Sequence, residues 1–117
     1  MSIVLYGIPN CDTVKKARVW LQEHSVEFHF HDFKKAGLAN AQVENWLAQE
    51  AWDVLVNRKG TTWRALSDER KAACTSASTA LALMLENPSL VKRPVLERDG
   101  KVLAVGFSAE KYQSLFE

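Results

Sequence analysis

The sequence has few cysteines, and their spacing does not fit a disulfide-bonded scaffold. Only Cys11 and Cys74 are present among 117 residues, which is too sparse for a disulfide framework. The opening text MSIVLYGIPN lacks a basic region and holds only a short apolar run, so we expect no signal peptide. A cytoplasmic protein with two free thiols is therefore expected, because the cytosol is reducing.

The chain also lacks a dominant charge and long hydrophobic runs. The formal net charge is +1, so no nucleic-acid or membrane partner is expected. No stretch approaches the roughly 18 apolar residues that cross a bilayer. A content of 47% hydrophobic and 25% charged residues is ordinary for a globular protein. We predict one domain over residues 1–117. The sequence leaves the oligomeric state open, and a monomer is expected.

The first third of the chain alternates between strand and helix patterns. The apolar run 3–6 predicts a buried strand. Val14, Ala17 and Leu21 then form one apolar stripe on a helix that starts at Asp12. The alternation over 26–31 predicts a second strand with one polar face. This order is typical of a βαβ unit, in which the two strands are parallel.

The middle of the chain shows no strand pattern, and residues 38–88 are predicted to form a helical insertion. Ser67 is expected to cap a helix that runs to about Ala73. Residues 75–86 are apolar nearly all round, which predicts a buried helix. Asn87 and Pro88 should end it.

The last part of the chain returns to sheet. Asp99-Gly100 predicts a type I′ hairpin between strands near 95–96 and 102–103. Ser108 is expected to cap a final helix, with Phe107 packing against Tyr112. The order βαβ, helical insertion, ββα predicts an α/β fold with a mixed four-stranded sheet.

Cys11 lies between the first strand and the first helix. In open α/β sheets, ligands bind beyond the carboxyl ends of the strands, where helix N-termini carry partial positive charge. Thr13 adds a hydroxyl group and Lys15 a cation, and both favour the nucleophilic thiolate. Asp12 opposes the thiolate, or else caps the helix. The alternative is that Cys11 is only a small, inert, buried thiol.

The sequence offers Cys11 no local redox partner. A dithiol site would place a second cysteine three residues away, where Ile8 and Val14 stand instead. Cys74 is far off in the sequence and is expected to be an unreactive structural thiol. A reactive Cys11 would therefore act as a monothiol and depend on an external thiol such as glutathione.

Three arginines are candidates for binding an anion. Arg58 and Arg64 flank a polar, glycine-containing loop, where a guanidinium group can bind an oxyanion or carboxylate. Arg93 precedes Pro94 at the start of a predicted strand, and the sequence leaves the proline isomer open. The alternative for each arginine is an ordinary surface charge.

The histidines do not form a recognisable metal site. His29 and His31 alternate along one strand, and no cysteine or carboxylate cluster completes a ligand set with them or with His24. No metal is expected.

Three stretches together resemble the ArsC/Spx/YffB group of arsenate-reductase-related proteins: YGIPNCDTVKKARVWL, VLVNRKGTTWRAL and NPSLVKRPVLERDGKVLAVGF. The first is especially similar to the YffB branch, and the resemblance covers essentially the whole chain. It implies a thioredoxin-like fold with a helical insertion. It also implies that Cys11 is the nucleophile and that Pro94 is a cis-proline facing it.

The resemblance is incomplete at the oxyanion site. The family's glutathione-coupled arsenate reductases use a cysteine with three arginines, and Arg58 and Arg93 fall where two of these are expected. Gly106 stands at the third position, and Asp12 replaces the glycine of the family's Cys-Gly-Thr turn. An oxyanion would lose one charge-assisted donor and gain a nearby carboxylate.

The resemblance therefore implies a glutathione-dependent thiol reductase with no bound cofactor. Glutathione is the expected co-substrate, and the substrate is a small-molecule or protein disulfide. Two alternatives stay open: arsenate reduction, and a non-catalytic regulator of the Spx kind that binds RNA polymerase, although the Cys-x-x-Cys switch of that kind is absent. The residues expected to bind substrate around Cys11 are Asn10, Asp12, Thr13, Lys15, Arg58, Arg93 and Pro94.

Overall fold

The computed structural model describes residues 2–116. It divides the chain into two units, one made of the segments up to Ala36 and from Arg93 onward, the other of Gly37–Lys92. Whether they fold as a single domain stays a prediction. Within residues 2–116, no helix is long and apolar enough to cross a membrane.

The first unit holds a four-stranded mixed sheet. Its strands are β1 (Ile3–Gly7), β2 (His29–Asp32), β3 (Val95–Arg98) and β4 (Lys101–Val105), in the spatial order β2-β1-β3-β4. Strand β1 pairs parallel with β2 and antiparallel with β3, and β3 pairs antiparallel with β4. These pairings confirm the predicted mixed sheet and its βαβ unit.

Strand β2 is shorter than the alternation predicted. It starts at His29 rather than at residue 26, because the parallel register places His29 beside Val4 and leaves 26–28 at or before the start of β1. Val26 and Phe28 nevertheless pack against the core. The period of two therefore reported which side chains are buried and not how far the ladder extends.

Helices α1 (Asp12–Glu23) and α8 (Ala109–Phe116) share one buried cluster with the sheet. Alternate residues of the strands point into it, while α1 contributes every third or fourth residue, as the predicted stripe requires. The short helix α2 (Phe33–Ala36) follows β2 and buries Phe33. The cluster consists of Ile3, Leu5, Ala17, Leu21, Leu96, Ala104 and Tyr112.

The hairpin and the start of α8 follow their local sequence signals. Asp99 and Gly100 have φ values of 50° and 85°, the positive angles that both central residues of a type I′ turn need. The Ser108 hydroxyl oxygen accepts a hydrogen bond from the Lys111 backbone N–H at 3.1 Å. The rings of Phe107 and Tyr112 meet edge to face, 4.8 Å apart. The predicted turn, cap and hydrophobic staple are all confirmed.

The second unit is helical. Ser67 caps α6 by accepting a hydrogen bond from the Arg70 backbone N–H at 3.2 Å, as predicted. The one strand-like pairing described there is an isolated bridge between Val56 and Val91. The helices are α3 (Asn40–Gln49), α4 (Trp52–Leu55), α5 (Thr61–Arg64), α6 (Asp68–Ala73), α7 (Ala77–Glu86) and a 3₁₀ helix (Pro88–Leu90).

Helix α7 is buried on one face only, so the prediction of all-round burial is wrong. Its buried residues are Ala80, Leu83 and Met84, whereas Ala77 and Ala82 are exposed. Small alanine side chains look apolar in the sequence but carry little area, so exposing them costs little free energy. The helix begins after Ser76, whose side chain forms a capping box with Thr79, and ends at Asn87 as predicted.

Replacing Ser108 with alanine should lower the free energy of unfolding by about 1 kcal/mol, because the Lys111 N–H loses its acceptor at the start of α8. Urea denaturation measures this change. The matched control is Ser114→Ala in the last turn of the same helix, where the hydroxyl group donates only to the Lys111 carbonyl and a change within about 0.5 kcal/mol is expected. Equal losses in the two variants would show that Ser108 does not cap α8.

Candidate active site

Cys11 occupies the N-cap position of helix α1. Its backbone is extended (φ −95°, ψ 124°), its N–H donates to the Ile8 carbonyl at 3.2 Å, and its carbonyl accepts from the Lys15 N–H at 3.0 Å. Asp12 is the first helical residue and no side chain caps the helix. The predicted Asp12 cap is therefore wrong: the chain enters α1 one residue earlier than a capping aspartate would require.

A glycine allows α1 to lie close to the end of β1. A Cβ atom on Gly7 would stand 2.8 Å from Val14 Cγ2, which is closer than two carbon atoms can approach without movement. Val14 is fully buried in the first turn and a half of α1. The contact therefore fixes the start of the helix, and with it Cys11, against the carboxyl end of the central strand.

The surroundings of the Cys11 sulfur favour the thiolate. Partial burial raises the pKa of the thiol, but this effect is outweighed by the nearby N–H groups of Val14 and Thr13 at the start of α1 and by the Arg93 side chain with its positive charge. The pKa of Cys11 is lowered as a result, even with Asp12 next to it in the sequence. A lowered pKa increases the thiolate fraction at neutral pH, and the thiolate is the attacking form.

The loop that carries Arg93 is tied to the end of β4. The Arg93–Pro94 peptide bond is cis, as the family resemblance implies, and Pro94 is buried. The Pro94 carbonyl accepts a hydrogen bond from the Gly106 N–H at 2.8 Å. Gly106 has φ 85°, a left-handed conformation that an arginine would adopt only with strain. The position of the family's third arginine thus carries no side chain here and suits glycine.

Two predicted contact residues flank the cysteine. Asn10 and Lys15 are exposed on either side of it along the chain, and Asp12 and Thr13 are exposed in the first turn of α1. Asn10 also lines a cavity of about 260 Å³ that was not predicted from the sequence. The cavity is lined by Pro9, Asn10, Asp32, Lys34 and Lys35.

The positions of Lys34 and Lys35 in this cavity could have been predicted from the sequence. They follow the second of two parallel strands, and the carboxyl ends of parallel strands meet at the same edge of a sheet. Asp32 at the end of β2 accepts hydrogen bonds from the backbone N–H groups of Lys34 and Lys35 at 3.0 and 3.2 Å. Their ammonium groups provide positive charge next to Asn10.

Arg58 belongs to the second unit. It is exposed, its guanidinium carbon lies 5.7 Å from the centroid of the Trp52 ring, and it lines a cavity of about 320 Å³ with Asn57, Lys59 and Lys92 among other residues. Arg64 ends α5 and is exposed. The first unit thus brings Cys11, Thr13, Arg93 and Pro94 together, whereas the two other arginines lie in the second.

The second cysteine has the opposite character. Cys74 is 5% exposed, and burial raises the pKa of its thiol although the charge of Arg58 opposes this. Its surroundings therefore favour the protonated, less reactive form.

Among the described residues, no group of three or more histidine, cysteine, aspartate or glutamate side chains could hold a metal ion. His31 lies against the Tyr6 ring, with centroids 5.0 Å apart, and His24 stacks on Trp20 at 3.8 Å. These histidines pack against aromatic side chains instead.

Comparison with known proteins gives consistent matches. The model of the ArsC family matches residues 6–115. A Haemophilus influenzae protein described as uncharacterized is 46% identical over 114 residues, which cover 97% of this chain and 98% of that protein.

Two solved structures match along nearly the whole chain. The YffB protein gives a TM-score of 0.90 at 45% identity and covers 97% of both chains. An arsenate reductase (ArsC) related protein from Brucella melitensis gives a TM-score of 0.79 at 48% identity, covering 100% of this chain and 96% of the other. These matches confirm the thioredoxin-like α/β fold.

Replacing Arg93 with glutamine should raise the pKa of Cys11, because the thiolate loses a hydrogen bond and a nearby positive charge. The thiolate then forms only at higher pH, so alkylation of Cys11 by iodoacetamide at pH 7 should slow about three- to tenfold. Mass spectrometry of the peptides follows each cysteine separately.

Arg98→Gln, on strand β3, is the matched control and should leave the pH profile of Cys11 unchanged. Slow alkylation of buried Cys74 in the same samples shows that the variants remain folded. Identical Cys11 profiles in wild type and Arg93→Gln would contradict the assignment of Arg93.

Proposed function

Because the chain belongs to the ArsC family, we propose that it is a glutathione-dependent thiol reductase with Cys11 as its single nucleophile. The observation that carries this proposal is the position of Cys11 at the helix N-cap, where the N–H groups of Val14 and Thr13 and the Arg93 side chain lower the pKa of its thiol. Its close relatives include an arsenate-reductase-related protein, which supports redox chemistry at this site.

The reaction that fits a single thiol is thiol–disulfide exchange in two steps. The Cys11 thiolate attacks the glutathionyl sulfur of a mixed disulfide R–S–S–G. A new disulfide bond forms between the Cys11 sulfur and the glutathionyl sulfur as the S–S bond of R–S–S–G breaks, and R–S⁻ leaves and takes a proton from water. A glutathione thiolate then attacks the glutathionyl sulfur of the adduct, which yields oxidised glutathione and restores the Cys11 thiolate. Overall, R–S–S–G and one glutathione become R–SH and oxidised glutathione.

Arg93 and the helix N–H groups contribute to both steps. They stabilise the attacking thiolate in the first step. In the second step they stabilise the same thiolate as the leaving group, and a thiol of lower pKa leaves faster. The exchange needs no second cysteine in the chain, which agrees with the buried position of Cys74.

The remaining predicted residues would hold glutathione. Its two carboxylates are suited to the guanidinium and ammonium groups of Arg93 and Lys15, and the role of Arg58 stays a prediction from the family resemblance. Asn10, Asp12 and Thr13 would supply polar contacts beside the sulfur, and Pro94 would shape the backbone against which glutathione lies. The substrate is a small-molecule or protein disulfide.

Arsenate reduction is less well supported by this site. The Brucella melitensis relative is described as arsenate-reductase-related, but the turn at Gly106 provides no third guanidinium group. A multiply charged oxyanion depends on such donors more than a disulfide does.

Replacing Cys11 with serine should abolish glutathione-dependent reduction of a small mixed disulfide, because a hydroxyl group forms no disulfide adduct. We expect a loss of at least about 100-fold in kcat/KM. Cys74→Ser should retain wild-type activity. The assay follows production of oxidised glutathione with glutathione reductase and NADPH.

Each other outcome of this assay points elsewhere. Full activity in Cys11→Ser would refute the proposal. Glutathione oxidation that requires arsenate, with no turnover of the disulfide, would favour arsenate reduction. A protein inert towards both substrates that binds RNA polymerase independently of Cys11 would favour a regulator.

A further inference from the structure

An apolar groove runs along one side of helix α1. Its volume is about 300 Å³. Val19 within it is 50% exposed and is one of two large hydrophobic side chains exposed among the described residues, the other being Val54 at 41%. The α1 groove, as we call it, is lined by Lys15, Lys16, Val19, Trp20, Glu23 and Phe107.

Both walls of the α1 groove lead back to the reactive cysteine. On one wall, Lys15, Val19 and Glu23 follow Cys11 at intervals of four residues, so they lie on the same side of α1 as Cys11. On the other, Phe107 follows Gly106, whose N–H donates to the carbonyl of Pro94 at 2.8 Å, and Arg93, which precedes Pro94, lies near enough to Cys11 to lower the pKa of its thiol. A molecule attached to Cys11 can therefore continue into the groove.

The α1 groove is longer than glutathione needs. With a rise of 1.5 Å per residue, its far end at Glu23 lies about 18 Å along the helix axis from Cys11. A glutathione joined to Cys11 by a disulfide covers about the first 12 Å, since its arms are single residues. Glutathione is also polar, whereas the middle of the groove is formed by Val19, Trp20 and Phe107. A polypeptide has both the length and the apolar side chains to fill it.

The floor of the α1 groove is held rigidly. The Trp20 ring lies 5.5 Å from the Tyr112 ring and perpendicular to it, and Phe107 meets the same tyrosine at 4.8 Å. Tyr112 itself is fully buried. The apolar surface is therefore preformed, which lowers the entropic cost of binding.

Charges on the rim of the α1 groove have a definite order. The cations Lys15 and Lys16 stand at the end near Cys11, and the anion Glu23 stands at the far end, with the apolar floor between them. A complementary segment carries the opposite order: an acidic residue beside the reacting cysteine, an apolar residue next, and a basic residue furthest away. Such complementarity selects partners and their orientation.

We propose that the α1 groove binds this segment of a protein substrate, so that the disulfide reduced at Cys11 is a protein–glutathione mixed disulfide. The inference rests on the proposed function and names its substrate class. Cys11 attacks the glutathionyl sulfur, the protein thiolate leaves and is protonated by water, and the segment departs from the groove. Glutathione then reduces the Cys11 adduct as described above.

The kinetic test compares three glutathionylated substrates. The matched peptide carries Glu next to the modified cysteine, Leu about three residues further and Lys about six residues from the cysteine, because extended chain spans about 3.3 Å per residue. In the reversed peptide, Glu and Lys exchange places. Each peptide is made in two versions, with the segment either N-terminal or C-terminal to the modified cysteine. Glutathionylated free cysteine serves as the small substrate. In one of the two chain directions, kcat/KM for the matched peptide should be about tenfold higher than for the reversed peptide and for the small substrate.

Variants locate this preference in the α1 groove. Val19→Gln should lower kcat/KM for the matched peptide about fivefold by removing apolar contact, and it should leave the small substrate unchanged. Val54→Gln, at the other exposed valine, is the matched control and should change neither value. Glu23→Lys should shift the preference from the matched towards the reversed peptide.

Peptide binding to the α1 groove is measured separately from turnover at Cys11. Fluorescent forms of the two peptides with serine in place of cysteine are titrated with Cys11→Ser protein, and anisotropy is measured with and without Val19→Gln. Tighter binding of the matched peptide, weakened by Val19→Gln, supports the groove even if no substrate is turned over. Turnover of the small substrate without any peptide preference, or equal binding of both peptides, would overturn the groove while leaving the reductase intact.

Discussion

The stabilisation of the Cys11 thiolate by the first N–H groups of α1 and by the guanidinium group of Arg93 is the interaction on which the site depends. It joins residues that are far apart in the sequence, and the sheet is what brings them together. The antiparallel register of β1 and β3 places Tyr6 beside Val95, so Arg93, two residues before Val95, arrives where β1 ends. At that end, Gly7 lets α1 approach through Val14 and fixes Cys11 at the helix start.

The two cysteines show why position decides reactivity. Each is withdrawn from solvent, which raises a thiol pKa, and each has an arginine that opposes this effect. Only Cys11 also lies beside backbone N–H groups that lower its pKa, and these turn the balance towards the thiolate. A protein with one activated and one protonated thiol is suited to exchange with an external thiol rather than to an internal disulfide.

Much of the fold could be predicted from the sequence because its signals are local. The hairpin at Asp99-Gly100, the Ser108 cap and the stripe on α1 each depend on residues within a turn or two of one another. The start of β2 could not be predicted, since it depends on where the neighbouring strand begins. The burial of α7 was overestimated because alanine looks apolar yet has little area to bury.

In the site, too, the features that depend on local sequence could be predicted, and those that depend on strand register could not. The position of Cys11 on the strand–helix boundary could be predicted from the local sequence. The placement of Arg93 near Cys11 depends on strand register, and only the family resemblance indicated that Arg93 belongs to the site. Val19 stands outside the buried stripe of α1. Its exposed apolar side chain could therefore have been predicted from the local sequence. The roles of Asn10, Asp12, Thr13, Lys15, Arg58 and Pro94 towards glutathione stay predictions.

The most direct measurement of the central claim is mass spectrometry of the protein after incubation with oxidised glutathione at neutral pH. We expect a single glutathionyl group on Cys11, none on Cys74, and complete removal of the adduct when reduced glutathione is added. A Cys11 that stays unmodified, or an adduct that reduced glutathione does not remove, would contradict it.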